Sequence, residues 1–74
     1  MMSIGENIKE MRQRKDWTQR EFAEKVGINQ SMVAQIERGT KTLTVPLGKQ
    51  IAEVFGCTLD DLLEEKNLLA VNNK

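Results

Sequence analysis

Residues 19–38 (QREFAEKVGINQSMVAQIER) place apolar residues so narrowly that few folds can accept them. Phe22, Ala23, Val26, Ile28, Val33 and Ile36 are the apolar positions, and Gly27 sits in their midst. On each side of the glycine the spacing is helical. Two short helices that cross steeply around a tight turn need this arrangement. Ala23 has to be small because the second helix passes close over it. Gly27 can take the positive φ that ends the first helix.

The flanking sequence predicts three more helices. The first runs from about Ile4 to Lys15, with Ser3 and Glu6 forming a capping box and Ile4, Ile8 and Met11 facing inward. Thr18 and Glu21 repeat the box at the second helix, where Trp17 and Phe22 make a hydrophobic staple. Asn29 caps the third helix, stapled by Ile28 and Val33, and Thr58 with Asp61 caps the last, stapled by Cys57 and Leu62. Helix four starts after Thr44, with Val45 and Pro46 in the first turn, where proline is tolerated. Ile51, Ala52 and Phe55 face inward and Gly56 ends it. Gly48 stands where a staple would need a large residue, and a glycine inside a helix costs about 0.5–1 kcal/mol relative to alanine. Residues 39–43 (GTKTL) read as a loop. One all-α domain over residues 1–66 is expected, followed by a tail, residues 67–74, that either is disordered or contacts a second copy.

Composition excludes several classes of function. The chain has 74 residues, no histidine and one cysteine, Cys57. An internal disulfide, a zinc site of the Cys/His type and imidazole acid–base catalysis all fall away. No cofactor, metal or enzymatic activity is expected. No apolar run approaches the roughly 20 residues of a membrane span, and Met1 and Met2 lead straight into polar sequence. A reducing cytoplasm is the simplest setting. Trp17 reads as core rather than a base-stacking platform, Cys57 as a buried hydrophobe, and Arg20 and Lys25 as solvated charges. Net charge is zero, but residues 1–49 carry nine Lys/Arg against six Asp/Glu, and residues 50–74 carry two against five. The basic part contains the crossed helices, so the acidic part would face away from a polyanion.

Two helices joined in this way form a helix-turn-helix, whose second helix enters the major groove of DNA. The segments IKEMRQRKDWTQREFAEKVGI, NQSMVAQIERG, IAEVFG and CTLDDLL follow one another in an order that resembles the phage Cro/cI-type, or XRE-like, helix-turn-helix family. The resemblance covers residues 4–65. It implies a compact five-helix lambda-repressor-like domain with the helix-turn-helix at helices two and three. It also implies sequence-specific binding of double-stranded DNA, usually by dimers on palindromic operators. Two positions depart from the family. Gly48 replaces a large apolar residue, so helix four should pack differently or be looser. The loop after Gly39 carries one basic residue, Lys41, where several are usual.

A third helix docked by its N-terminal end would point Gln30, Ser31 and Gln35 into the groove, where the family's base-reading positions align with them. Glutamine can pair with adenine N6 and N7 together, serine is permissive, and Ala34 beside them can meet a thymine methyl. The alternative is an ordinary solvated helix face. Thr18 and Gln19 begin helix two, where unpaired N–H groups suit a phosphate. Gln19 also matches the family's backbone-clamping glutamine. Arg38, Thr40, Lys41 and Thr42 follow the third helix and are candidates to grip the DNA backbone. The resemblance further implies a structural ion pair between Arg12 and Glu37.

One recognition helix reads only a few base pairs, so a C2 homodimer on two half-sites is expected. Leu59, Leu63, Leu68, Leu69 and Val71 are the candidate contacts, with the alternative that the leucines are core. A transcriptional repressor acting by promoter occlusion is the first reading. RNA polymerase is a possible partner through Glu21 and Glu24. An antitoxin that binds DNA and a toxin is the related alternative. A protein-interaction module that has lost DNA binding is the alternative of a different class.

Overall fold

The computed structural model describes residues 3–63. Among them lie five helices and no strand: α1 (Ile4–Arg14), α2 (Gln19–Val26), α3 (Gln30–Arg38), α4 (Val45–Phe55) and α5 (Leu59–Leu63). Leu68, Leu69 and Val71 lie outside the described residues, as does the boundary expected at residue 66.

Each helix begins where a short polar side chain captures an otherwise unpaired N–H. Ser3 and Thr18 form reciprocal capping boxes with Glu6 and Glu21. Thr58 and Asp61 do the same at α5, through bonds of 3.0 and 3.2 Å. Asn29 and Thr44 each accept one N–H, from Met32 and Leu47. The first helix ends one residue earlier than expected, with Lys15 as its cap, because Asp16 turns the chain at φ 62°. Gly27 takes φ 91° and closes α2 through its N–H to the Ala23 carbonyl.

The core joins all five helices through Ile8, Phe22, Ala23, Val26, Val33, Ile36, Leu47, Ile51, Ala52, Phe55 and Leu62. Helix α3 is held between α1 and α2, while α4 and α5 pack beneath them. All three aromatic rings of the chain lie near-parallel in one mutual cluster. Phe22 and Phe55 are 5.0 Å apart between centroids, and Trp17 lies 6.2 Å from the first and 5.9 Å from the second. The ammonium of Lys25 sits 4.9 Å from the Trp17 centroid, so this charge lies over the indole ring rather than being simply solvated. Arg20 pairs with Glu24 at 3.6 Å on an exposed surface, which contributes little.

Gly48 is buried in a regular, uninterrupted α4. A Cβ there would stand 2.8 Å from Leu59 Cδ1 and 3.6 Å from Leu43 Cδ2. The missing side chain is therefore replaced by two leucines brought in from the preceding loop and from α5. Helix four packs differently rather than loosely.

Asn7 makes a further link that the sequence pattern does not reveal. It is buried in α1, and its Nδ2 donates to the Leu62 carbonyl at 2.9 Å. This bond fastens the end of α5 to the first helix.

Candidate nucleic-acid interface

The polar side of α3 follows from its spacing. Gln30, Ala34 and Arg38 succeed one another at intervals of four residues, with Ser31 and Gln35 alongside. Val33, Ile36 and Glu37 point the other way and are buried. Gln30, Ser31 and Arg38 are exposed, and Ala34 and Gln35 are half-buried. All five side chains thus share one face, with Ala34 near its centre.

Glu37 is the only acid on this helix, and it does not reach that face. Its carboxylate accepts from Arg12 Nε at 2.7 Å, Arg12 Nη2 at 3.2 Å and Gln19 Nε2 at 3.1 Å. The Arg12 and Glu37 side chains are 9% and 3% exposed, so the pair is screened from water. Arg12 Nη1 reaches the Trp17 carbonyl at 2.7 Å. One guanidinium therefore ties α1 to α3 and to the turn before α2. The bond to Gln19 sets the half-buried side chain at the start of α2 against the end of α3. Sequence reasoning gave Gln19 only an outward role; its second partner lies 18 residues away and leaves no local signal.

Gly5 is a second residue that the sequence pattern did not single out. A Cβ at Gly5 would collide with the Ile36 carbonyl oxygen and stand 2.9 Å from that of Glu37. The first turn of α1 therefore rests on the last carbonyls of α3. A glycine within a helix, with no turn to make, is the available signal for such a close approach.

The backbone candidates are placed as follows. The Thr18 N–H already donates to Glu21 Oε1 at 2.8 Å, while its hydroxyl caps Glu21. The next N–H groups, of Gln19 and Arg20, have no acceptor within the helix, by the geometry of a first turn. Thr40 donates both its N–H, at 3.0 Å, and its hydroxyl, at 3.3 Å, to the Gln35 carbonyl. A phosphate would have to draw that hydroxyl out of the cap. Lys41 and Thr42 are exposed in the loop that follows. Arg38 and Lys41 form no ion pair among the described residues.

Of the apolar candidates, Leu63 is 58% exposed at the end of α5. Leu59 is half-buried and packs against the core. Cys57 is half-buried at the turn into α5 rather than fully enclosed. Burial pushes its thiol pKa up, Asp61 adds to the shift, and Lys15 opposes it. Among the described residues, no helix is long and apolar enough to cross a membrane.

Known proteins resemble this arrangement. The antitoxin PezA of Streptococcus pneumoniae is 36% identical over 66 residues, covering 89% of this chain and 42% of its own length. The HTH-type transcriptional regulator SinR of Bacillus subtilis is 32% identical over 65 residues, covering 86% of this chain and 59% of its own. The chain thus spans about half the length of these two relatives. SinR solved in complex with DNA superposes with a TM-score of 0.77 at 29% identity, over 82% of this chain and 98% of that one. The DNA-binding domain of the P22 c2 repressor has the same fold, with a TM-score of 0.82 at 22% identity over 88% of this chain and 86% of its own. Residues 8–62 match the helix-turn-helix family model, and the chain belongs to that family, as a member of the Cro/cI-like, XRE type.

Proposed function

We propose that the chain is a transcriptional repressor that binds a palindromic DNA operator as a C2 homodimer, with α3 in the major groove. One observation carries this reading. The exposed face of α3 presents Gln30, Ser31, Ala34, Gln35 and Arg38, while the only carboxylate of that helix is buried, paired with the Arg12 guanidinium and hydrogen-bonded by Gln19. A helix so arranged offers hydrogen-bonding groups to base edges without repelling phosphate.

Gln30, Ser31, Ala34 and Gln35 read bases in this proposal. Gln19, the N–H groups at the start of α2, Thr18 beside them, and Arg38, Lys41 and Thr42 hold the DNA backbone. Thr40 acts first as a cap for α3 and reaches phosphate only by releasing Gln35. Repression follows from occupancy of the operator, and a cytoplasmic setting follows from the DNA target.

Substitution separates the two kinds of contact. Gln30→Ala and Gln35→Ala should each relax preference at one base pair per half-site, by roughly 1–3 kcal/mol. Lys41→Ala should weaken all sequences alike and reduce the salt slope by about 1. Equal weakening of every sequence by both glutamine variants would overturn the base-reading assignment.

The likeness to PezA supports a second reading, in which the chain also binds a toxin. Co-expression with the product of an adjacent gene should then yield a complex of fixed stoichiometry that still binds the operator.

A further inference from the structure

The exposed face of α3 is unusual in what it lacks. Arginine or lysine to guanine O6 and N7 is the commonest specific contact in the major groove. Here the first two turns of α3 expose two amides, a hydroxyl and a methyl, and the only cation of the helix is Arg38 in its last turn. Recognition helices insert by their N-terminal residues, so Arg38 lies toward the DNA backbone rather than the floor of the groove. Of the cations of α2, Lys25 sits over Trp17, and Arg20 lies on a different helix from the base-facing residues, in a weak exposed pair with Glu24. Ala34 stands between Gln30 and Arg38 on the helix, flanked by Ser31 and Gln35, and a short apolar side chain there leaves room for a base substituent.

We infer that the half-site beneath the first two turns of α3 consists of A·T pairs, with Gln30 and Gln35 pairing to adenine and Ala34 contacting the C5-methyl of a thymine. This rests on the base-reading role proposed above and names its target. Both ligand groups follow from the face itself. An amide matches the N6 donor and N7 acceptor of adenine together, and a methyl in the groove is displayed only by thymine among the ordinary bases.

Selection of bound duplexes from a random pool by the full chain tests the first half. An enriched site with A·T pairs in each half, relaxed at adenine positions by Gln30→Ala or Gln35→Ala, is the expected result. A site whose half is fixed by G·C pairs would overturn this inference while leaving base reading intact. A pool that yields no enriched sequence, despite tight binding to duplex at low salt, would overturn base reading itself and this inference with it.

Replacing single thymines of the selected site by deoxyuridine tests the second half, because it removes the methyl and keeps the base pairing. One position per half-site should weaken binding about fourfold, the worth of one buried methyl. In Ala34→Ser, a variant of nearly unchanged size, that penalty should vanish while the melting temperature holds. No penalty at any position, or one unchanged in Ala34→Ser, would overturn the role of Ala34.

Discussion

Glu37 shows how one residue can hold a site together without facing it. Its carboxylate receives three donors from two other side chains, and almost none of it meets water. Glu37→Ala would leave the Arg12 guanidinium buried and partnered only by the Trp17 carbonyl. Such a stranded charge should cost roughly 3–5 kcal/mol in urea-induced unfolding. Cys57 gives a milder prediction at the same scale. Its thiol is held above its ordinary pKa by burial and by Asp61, against Lys15. Alkylation by iodoacetamide at neutral pH should therefore be slower in the folded chain than in the chain unfolded in urea. An acid whose folded pKa is raised favours the folded state below its unfolded pKa. This contribution should fade as pH rises from that value through the folded one. Single residues whose partners are near in sequence were legible in advance. Ser3, Thr18, Asn29 and Thr58 all cap groups three residues onward. Asn7, whose partner is 55 residues away, was not, and neither was Lys25, which reads as an ordinary surface charge until Trp17 is seen beneath it.

Elements were legible for the same reason, but their packing was less so. Helix starts and stops are set by contacts within a turn, so sequence placed all five helix starts, and the ends of the first four helices, to within a residue or two. Distances between helices depend on which side chains meet, and glycine marks those places ambiguously. Gly27 announced a turn, whereas Gly5 and Gly48 mark close approaches whose partners lie in other helices and in the loop before α4. The two should respond differently to alanine. At Gly5 the obstacle is backbone, the last carbonyls of α3, which cannot move without shifting that helix. Gly5→Ala should destabilise by about 1–3 kcal/mol and weaken DNA binding beyond that loss of folded protein. At Gly48 the obstacle is the end of a leucine side chain. Gly48→Ala gains about 0.5–1 kcal/mol of helix propensity, offset by displacing Leu59. In a Leu59→Ala background the offset disappears, so the same substitution should be more favourable there than in the natural chain. A double-mutant cycle measured by urea unfolding reads the difference directly.

At the scale of the whole molecule, zero net charge conceals a modest division along the sequence. Basic residues predominate up to residue 49, which includes the helix-turn-helix, and acidic ones after it. Periodicity identified one side of α3 as inward through Val33 and Ile36, whereas the inward turn of Glu37 was expected only from the family resemblance. Association between copies is less legible, because an exposed leucine and a core leucine look alike in sequence. The structure separates them: Leu62 is fully buried, Leu59 is half-buried on the core, and Leu63 is 58% exposed. If α5 joins two copies across a C2 axis, Leu63 is its described residue with apolar surface to bury. Leu63→Lys should then leave the thermal stability of the dilute chain nearly unchanged, since its side chain lies largely in solvent. On a duplex with two half-sites, the variant should lose the cooperative step. On a duplex with a single half-site it should bind as the natural chain does. Sedimentation of each protein–DNA mixture distinguishes one bound copy from two. Equal cooperativity in the variant and the natural chain would remove Leu63 from the interface. Loss of binding to the single half-site would instead show that the substitution disturbs α3 through the Leu62 and Asn7 link, rather than contact between copies.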